Sequence, residues 1–250
     1  MVSIKLANAS VELPIYNAAG RSLRNTIFRR VGGAVGSNDS DVVTVRALSD
    51  VTVSVSPGDR LAIMGHNGSG KSTILRVFAG AFEPSSGLAE ISGTVSSLLD
   101  ITMGMDPELT GAENVVLRGV FVGLSIKEAR ERIPEIEEFS ELGGFMNLPL
   151  RTYSSGMVLR LAFAVSTVRH SDILLLDELI SVGDRSFAAR ARERIDAMID
   201  NASILALASH DFGTMKQYCN RAILLQSGSL VADGPVDAVI ERYQHLVAGT

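Results

Sequence analysis

The chain has 250 residues, 46% of them hydrophobic and 20% charged, with a formal net charge of −5 at pH 7. This length is enough for one sizeable domain or two small lobes that share a core. The acidic balance argues against a surface built for nucleic acid, so we expect no nucleic-acid partner.

The cysteine content and the hydropathy of the chain indicate the kind of cellular compartment in which we expect the protein. Cys219 is the only cysteine, which excludes an internal disulfide and fits a reducing compartment, and we expect it to be a partly buried apolar residue. The N-terminal residues lack the basic start and apolar core of a signal peptide. No stretch approaches the ~20 uncharged apolar residues that cross a bilayer. We therefore expect a soluble protein, and any role at a membrane would have to come through a partner.

The first third of the chain is predicted to form strands, then a loop and a helix. Leu23, Ile27 and Val31 recur at helical spacing among arginines, which predicts a basic helix over 21–31. The other predicted elements are strands over 3–13, 43–56 and 60–64, a glycine-rich loop over 65–70 and a helix over 71–79.

The remainder is predicted to contain a helical stretch, over about 110–170, followed by alternating strands and helices. Two capping boxes mark helix starts in that stretch, Thr110 with Glu113 and Ser125 with Glu128. This order favours a mostly parallel α/β core with a helical insertion. The predicted strands are 88–92, 94–99, 173–177, 203–208 and 221–226, with helices over 184–200, over 211–218 and from Pro235, and a hairpin turn at Ser227-Gly228.

A phosphate-binding motif lies between a predicted strand and a predicted helix. It matches G-x-x-x-x-G-K-[ST], whose glycines let backbone N–H groups approach phosphate oxygens while the helix points its positive end at the same place. Lys71 would neutralise the β- and γ-phosphates, and the Ser72 hydroxyl would ligate Mg²⁺. The sequence therefore predicts a nucleotide site. Its residues are Gly65, His66, Asn67, Gly68, Ser69, Gly70, Lys71, Ser72 and the adjacent Thr73.

Two carboxylates, Asp177 and Glu178, end the apolar strand that begins at Ile173. Such a strand is buried on both faces, so its acids emerge at the carboxyl edge of the sheet, where the phosphate loop is also expected. Asp177 is placed to hold Mg²⁺, and Glu178 to polarise the attacking water as a general base. An ordinary strand end with solvated acids is the alternative, and the phosphate motif earlier in the chain disfavours it.

The segment Tyr153-Ser154-Ser155-Gly156-Met157 precedes an amphipathic helix, so Ser154 and the nearby N–H groups can bind an anion. Together with the later LLLDE, SVGD and SHD, it resembles the ABC ATPases, in which a signature loop is followed by Walker B with its catalytic glutamate, the D-loop and the switch histidine. The resemblance implies that Ser154 and Gly156, with Ser155 between them, contact the γ-phosphate held by a second subunit. It also implies that Asp184 is the D-loop aspartate and that His210 senses the γ-phosphate.

The motifs depart from the usual family pattern. Ser155 and Met157 replace the first glycine and the glutamine of LSGGQ, and the Q-loop glutamine is missing from the stretch 96–114, where Asp100 is the nearest polar candidate. With these departures, TYSSGM, MDPELTGAEN and LPIYNAAGRSLRN resemble the subfamily that exports lipid-linked polysaccharides: O-antigens, teichoic acids, capsules and galactans.

This subfamily resemblance implies two further roles near the N-terminus. Tyr16 would stack on adenine, as aromatic residues do on bases, and the basic segment 21–31 would lie near the membrane interface. A surface tyrosine and a solvated charged helix are the plainer alternatives. Some subfamily members carry a C-terminal carbohydrate-binding domain, which we do not expect after Thr250.

The predicted fold class is α/β: a P-loop NTPase (RecA-like) core with an N-terminal antiparallel β portion and a helical subdomain, of the ABC ATPase type. We expect one domain over 1–250, with its core at about 40–98 and 165–250, the helical subdomain at about 100–160, and the N-terminal strand and basic helix at 1–36. By the resemblance, two copies sandwich ATP as a homodimer on a separate membrane permease. The chain would lie peripherally at the cytoplasmic face of the inner membrane, and the complex would handle a lipid-linked polysaccharide.

Other functions remain as alternatives. A P-loop kinase or GTPase would need neither YSSGM nor a histidine like His210. An ABC-type DNA-repair or chromosome ATPase usually has long coiled coils between its nucleotide motifs, and the stretch from Lys71 to Ser154 is too short for them. An exporter of drugs or small lipids would use the same ATPase parts.

Overall fold

A computed structural model describes residues 1–15, 35–37, 43–177 and 185–248. The chain forms two compact units. Unit 1 comprises Met1–Gly93, Leu175–Glu178 and Ser203–Thr250, and unit 2 comprises Thr94–Leu174 and Leu179–Ala202. The predicted basic helix over 21–31 lies outside the described residues.

Unit 1 contains an antiparallel sheet, as predicted for the N-terminal portion. Leu13 on the first strand lies opposite Val45, and Ile4 lies opposite Val55. Alternate side chains of a strand point to the same face of the sheet, and Ile4 and Val55 are fully buried on the face that forms the core. The strands are β1 (Ser3–Ile15), β2 (Val35–Ser37), β3 (Val43–Val55) and β5 (Ser86–Ser92), in the order β2-β3-β1-β5.

The parallel strands of unit 1 are nearly continuous apolar runs whose residues are almost all buried, as is typical of strands covered on both faces. β4 (Arg60–Met64) is parallel to both β8 (Ile204–Ala208) and β9 (Arg221–Gln226). β10 (Ser229–Pro235) returns antiparallel to β9. The turn between them has positive φ at Ser227 and Gly228, 47° and 83°, as a tight hairpin requires. The helices of this unit are α1 (Lys71–Phe78), α7 (Phe212–Tyr218) and α8 (Val236–Ala248).

Unit 2 is mainly helical. β6 (Val95–Ser97) lies beside the start of β7 (Ile173–Asp177), where the Ile173 N–H donates to the Thr94 carbonyl over 2.9 Å. Both predicted capping boxes are present. The helices are α2 (Gly111–Phe121), α3 (Ile126–Glu131), α4 (Ile133–Ser140), α5 (Ser155–Ser166) and α6 (Arg185–Asn201), with 3-10 turns at Gly143–Asn147 and Leu150–Thr152.

Apolar and aromatic side chains form the interior of unit 2. Phe139, Phe163 and Phe187 contact one another with ring centroids 5.5–6.1 Å apart. The Arg194 guanidinium lies over the Phe139 ring, 4.4 Å from its centroid, and pairs with Glu135 over 2.7 Å. These contacts join α4, α5 and α6 into one packed body.

Every predicted strand and helix that falls on described residues is confirmed, with ends that differ by about two residues at most. The strands and helices also agree with the predicted α/β class. None of the helices in the described part of the chain is long and apolar enough to span a membrane.

Candidate nucleotide-binding site

The phosphate motif forms the loop between β4 and α1. Gly65 and Gly70 have positive φ, 145° and 108°, and neither position has room for a side chain. A Cβ at Gly65 would lie 2.3 Å from the Leu225 carbonyl oxygen, and one at Gly70 would lie 2.8 Å from the Ala47 carbonyl oxygen. The surrounding strands thus fix the loop backbone in the shape that only glycine allows.

Lys71 places a positive charge against this loop. Its side chain is buried, and Nζ donates to the carbonyl oxygens of Gly65, over 2.8 Å, and of His66, over 3.0 Å. The loop therefore combines a lysine ammonium with the N-terminus of α1, both of which attract phosphate oxygens.

The end of β7 reaches the start of α1. Ser72 Oγ donates a hydrogen bond of 2.8 Å to Asp177 Oδ2. A hydroxyl and a carboxylate side by side are hard oxygen ligands, and Mg²⁺ is commonly held by one carboxylate, substrate phosphates and water. In the described part of the chain no cluster of three or more His, Cys, Asp or Glu could hold a metal alone. The hydroxyl of Ser72 and the carboxylate of Asp177 fit a metal whose other ligands come from a nucleotide and water.

A cavity of about 340 Å³ in unit 1 brings the candidate residues together. Its volume is in the range of small-ligand sites. Of the predicted site residues, it is lined by Asn67, Gly68, Gly70, Lys71, Ser72, Thr73, Asp177 and His210. Gly65, His66 and Ser69 lie in the same loop and shape its backbone rather than the cavity wall.

His210 lies just beyond β8 and is exposed. The next residue, Asp211, caps α7 by accepting from the N–H groups of Gly213 and Thr214, over 3.2 and 2.9 Å. Hydrogen bonds from the Thr214 hydroxyl and N–H, and to a smaller extent from the Gly213 N–H, hold the pKa of Asp211 below its usual value. The cap thus fixes the backbone that presents His210 to the cavity.

Five lining residues were not predicted from the sequence: Leu13, Val45, Arg46, Ala47 and Ser227. Most belong to the antiparallel sheet, where Glu12 lies opposite Arg46 and the two side chains form a 2.8 Å ion pair. Three register shifts in β1 set this pairing. The sequence pattern contains no signal that would have located them.

The signature segment belongs to unit 2. Ser154 is the N-cap of α5, and its Oγ accepts from the Met157 N–H over 3.3 Å, while Ser155 and Gly156 form the first residues of the helix. Ser154 and Ser155 are exposed. They therefore have the geometry of a helix N-terminus that can meet an anion.

The remaining predicted residues are divided between unit 2 and the undescribed segments. Asp100 lies in unit 2 near the buried Arg118, whose pKa is lowered by burial against the opposing effect of Asp100. Tyr16, Glu178 and Asp184 lie outside the described residues, so their roles stay predictions.

Residues 48–181 match the family described as ABC transporter. The chain is 44% identical to the O-antigen export system ATP-binding protein RfbE of Yersinia enterocolitica, over 91% of this chain and 96% of that protein. It is 36% identical to the teichoic acids export ATP-binding protein TagH of Lactococcus lactis, over 85% of this chain and 46% of that protein. The chain thus spans nearly all of one relative and about half of the other.

The fold is similar to a solved ATP-binding cassette. It matches the dimeric, post-hydrolysis structure of MJ0796 bound to ADP and Pi with a TM-score of 0.64 at 20% identity, over 93% of this chain and 98% of that one. This likeness confirms the predicted type of fold.

Proposed function

The chain belongs to the ABC transporter family, and from this premise we propose that it is the ATP-hydrolysing subunit of an exporter for a lipid-linked polysaccharide. The exporter would act through a separate membrane permease. The observation that supports the ATPase part most directly is the joining of the Lys71 loop to Asp177 through Ser72. The assignment of a polysaccharide as substrate is supported by the relatives, which are named as O-antigen and teichoic acid export proteins.

In this proposal the residues of unit 1 bind the different parts of Mg²⁺-ATP. The loop N–H groups and Lys71 hold the β- and γ-phosphates, and Tyr16 stacks on the adenine. Ser72 and Asp177 hold Mg²⁺, which when bound offsets the phosphate charge. Glu178 polarises the attacking water as general base, and His210 contacts the γ-phosphate.

The complete site needs a second copy of the chain. Ser154, Ser155 and Gly156 of one copy contact the γ-phosphate held in the other, with Asp184 at the same contact. Two copies therefore close around two ATP molecules, and hydrolysis removes the bridging charge and reopens them. In this proposal the core comprises about 40–98 and 165–250, the helical subdomain comprises about 100–160, and residues 1–36 supply the N-terminal strand and the basic helix.

Opening and closing of the dimer would move the permease. The chain lies peripherally at the cytoplasmic face of the inner membrane, with its basic segment 21–31 near anionic headgroups. The polysaccharide passes through the permease without contact with the ATP site. The relatives' names favour this substrate over a drug or a small lipid.

A complementation experiment tests this function. The gene is deleted in its own host, and surface polysaccharide is measured after return of the wild-type gene or of Lys71→Ala. The expected result is loss of surface polysaccharide with accumulation of the lipid-linked form inside, restored only by the wild type. Normal surface polysaccharide together with hypersensitivity to drugs would instead support the drug-exporter alternative.

A further inference from the structure

The chain that leads into Ser154 is tied to the start of α2. Residues 148–151 run antiparallel to 107–111, with an isolated bridge between Thr110 and Pro149. The two segments are therefore held as a short ladder directly before the signature segment. Its backbone hydrogen bonds join the Gly111 N–H to the Leu148 carbonyl (3.2 Å), the Leu150 N–H to the Leu109 carbonyl (2.9 Å) and the Arg151 N–H to the Pro107 carbonyl (2.9 Å).

A buried amide fixes the other side of this ladder. Asn114 is fully buried, and its Oδ1 accepts from the Asp106 N–H over 2.8 Å. Its Nδ2 donates to the carbonyl oxygens of Asp106, Leu109 and Thr110, over 2.9, 3.1 and 3.0 Å. Breaking the hydrogen bonds of a buried amide leaves polar groups without partners, which costs free energy, so these bonds hold residues 106–110 as a rigid support.

Tyr153 continues the connection from the ladder to the signature serine. Its hydroxyl donates to the Phe145 carbonyl over 2.6 Å, and its ring meets the Phe145 ring edge-on at 6.1 Å. The Tyr153 N–H donates to the Leu150 carbonyl over 3.0 Å. Tyr153 is thus held by hydrogen bonds from both its backbone N–H and its side-chain hydroxyl.

Gly111 leaves the space that this hydroxyl occupies. A Cβ at Gly111 would lie 2.2 Å from Tyr153 Oη and 3.1 Å from Met146 Cα. A larger residue at this position would therefore displace the tyrosine hydroxyl from the Phe145 carbonyl.

We propose that Tyr153 is a positioning residue for Ser154. Its hydroxyl donates to the Phe145 carbonyl and fills the space beside Gly111, so it fixes the start of α5 to the 3-10 turn Gly143–Asn147 and packs against the start of α2. Ser154 is the next residue, and its Oγ is already engaged by the Met157 N–H, so a rotation at Tyr153 moves the N-cap itself. The inference rests on the proposed function, in which Ser154 contacts the γ-phosphate held by a second copy.

Tyr153→Phe tests the role with the smallest change. In a Glu178→Gln background, which slows hydrolysis, the dimer dissociation constant is measured by sedimentation in Mg²⁺-ATP, and ATP affinity is measured with a fluorescent analogue at concentrations too low for dimers. The bond is made within one chain, so its loss acts by lowering the fraction of chains in which Ser154 is correctly placed. One lost hydrogen bond shifts such a conformational equilibrium by about two- to tenfold, and the dimer contains two such sites, so we expect dimerisation about tenfold weaker. ATP affinity should stay within about twofold, since the nucleotide cavity of unit 1 is unchanged.

Tyr243→Phe is the matched control. Tyr243 is a half-buried tyrosine whose ring centroid lies 6.1 Å from that of Phe212, and it belongs to unit 1, so the same chemical change is made outside the unit that contains the signature segment. Dimerisation and ATP affinity should both match the parent. A Tyr153→Phe variant that dimerises as well as this control contradicts the positioning role. A variant that loses ATP affinity and thermal stability together with dimerisation shows a general structural role instead, and contradicts it too.

Gly111→Ala adds a test of the contact itself. Alone, it should weaken dimerisation more than Tyr153→Phe, because its methyl group displaces the hydroxyl. In the double variant the combined loss should be smaller than the product of the single losses, since the phenylalanine ring lacks the displaced atom. If the loss in the double variant equals the product of the two single losses, the contact between Gly111 and the Tyr153 hydroxyl plays no part, and the positioning role is contradicted. A Glu178→Gln parent that binds ATP and fails to dimerise contradicts the ATP-dependent homodimer of the proposed function, which separates the two failures.

Discussion

Ser72 Oγ and Asp177 Oδ2 are joined by a 2.8 Å hydrogen bond although the residues lie 105 positions apart. The contact places a hydroxyl at the start of α1 beside a carboxylate at the end of β7. Two motifs that are separate in the sequence therefore place a hydroxyl and a carboxylate side by side, which supports the proposal that they bind a metal brought by the nucleotide.

Asp177→Asn should abolish most ATP hydrolysis and leave the fold intact. The amide oxygen can still accept from Ser72, so the hydrogen bond persists while the negative charge that favours the metal is lost. We expect the Mg²⁺-dependent ATPase rate to fall by about a hundredfold or more, with an unchanged melting temperature. Steady-state phosphate release and thermal denaturation measure the two. A variant with wild-type hydrolysis would remove Asp177 from the site.

Gly65→Ala should strongly destabilise the protein. The new Cβ would lie 2.3 Å from a backbone carbonyl oxygen, at φ +145°, so the strand or the loop must move. We expect a loss of about 3 kcal/mol or more in the free energy of unfolding, measured by urea denaturation.

Gly68→Ala is the matched control for that change. Gly68 also has positive φ, +79°, but nothing lies within 4 Å of its added Cβ. Only the backbone penalty of about 1–2 kcal/mol applies. Equal losses for the two variants would contradict the claim that close contacts fix the loop at Gly65.

Arg221→Lys should cost about 1–3 kcal/mol of stability, since lysine cannot reproduce the forked contacts. Arg221 donates to both oxygens of Asp233, over 2.8 and 2.7 Å, and to Asp59 over 3.0 Å. The hydrogen bonds from Arg221 to Asp233 raise the pKa of the guanidinium above its usual value, against burial. Urea denaturation measures the loss.

Lys216→Met is the control for a pair of the same charge type. The Lys216–Asp237 contact is 2.7 Å, but its side chains are 53% and 68% exposed. Its removal should change stability by less than about 0.5 kcal/mol. An Arg221→Lys cost no larger than this one would show that the half-buried network adds nothing.

Cys219 should resist thiol reagents in the folded protein. It is 7% exposed, and burial raises its pKa from 9.0 to about 12. At pH 8 the thiolate fraction is thus about a thousandfold lower than in the unfolded chain, so Ellman's reagent should react slowly until urea is added. Because the folded pKa is raised, the group's contribution to stability is complete below pH 9 and is lost as pH rises towards 12. Full labelling within seconds in native buffer would contradict this burial.

Local signals made much of the structure predictable. The phosphate loop, the carboxylate at the end of β7 and the caps at Thr110 and Ser125 each depend on residues a few positions apart, so the sequence pattern contains the whole interaction.

Contacts between distant segments could not be predicted in this way. The register that brings Leu13 and Arg46 to the cavity depends on irregularities in β1. The fit of Tyr153 against Gly111 depends on how a ladder places two segments that lie 42 positions apart. Such packing is set by the tertiary fold rather than by local propensity.

The central claim is that ATP joins two copies of this chain through Ser154. The most direct measurement is size-exclusion chromatography with light scattering of Glu178→Gln, with and without Mg²⁺-ATP. The account predicts a monomer that becomes a dimer only with ATP, and a monomer in both conditions for Glu178→Gln combined with Ser154→Arg. A Glu178→Gln protein that binds ATP and stays monomeric, or a Ser154→Arg combination that still dimerises, would contradict it.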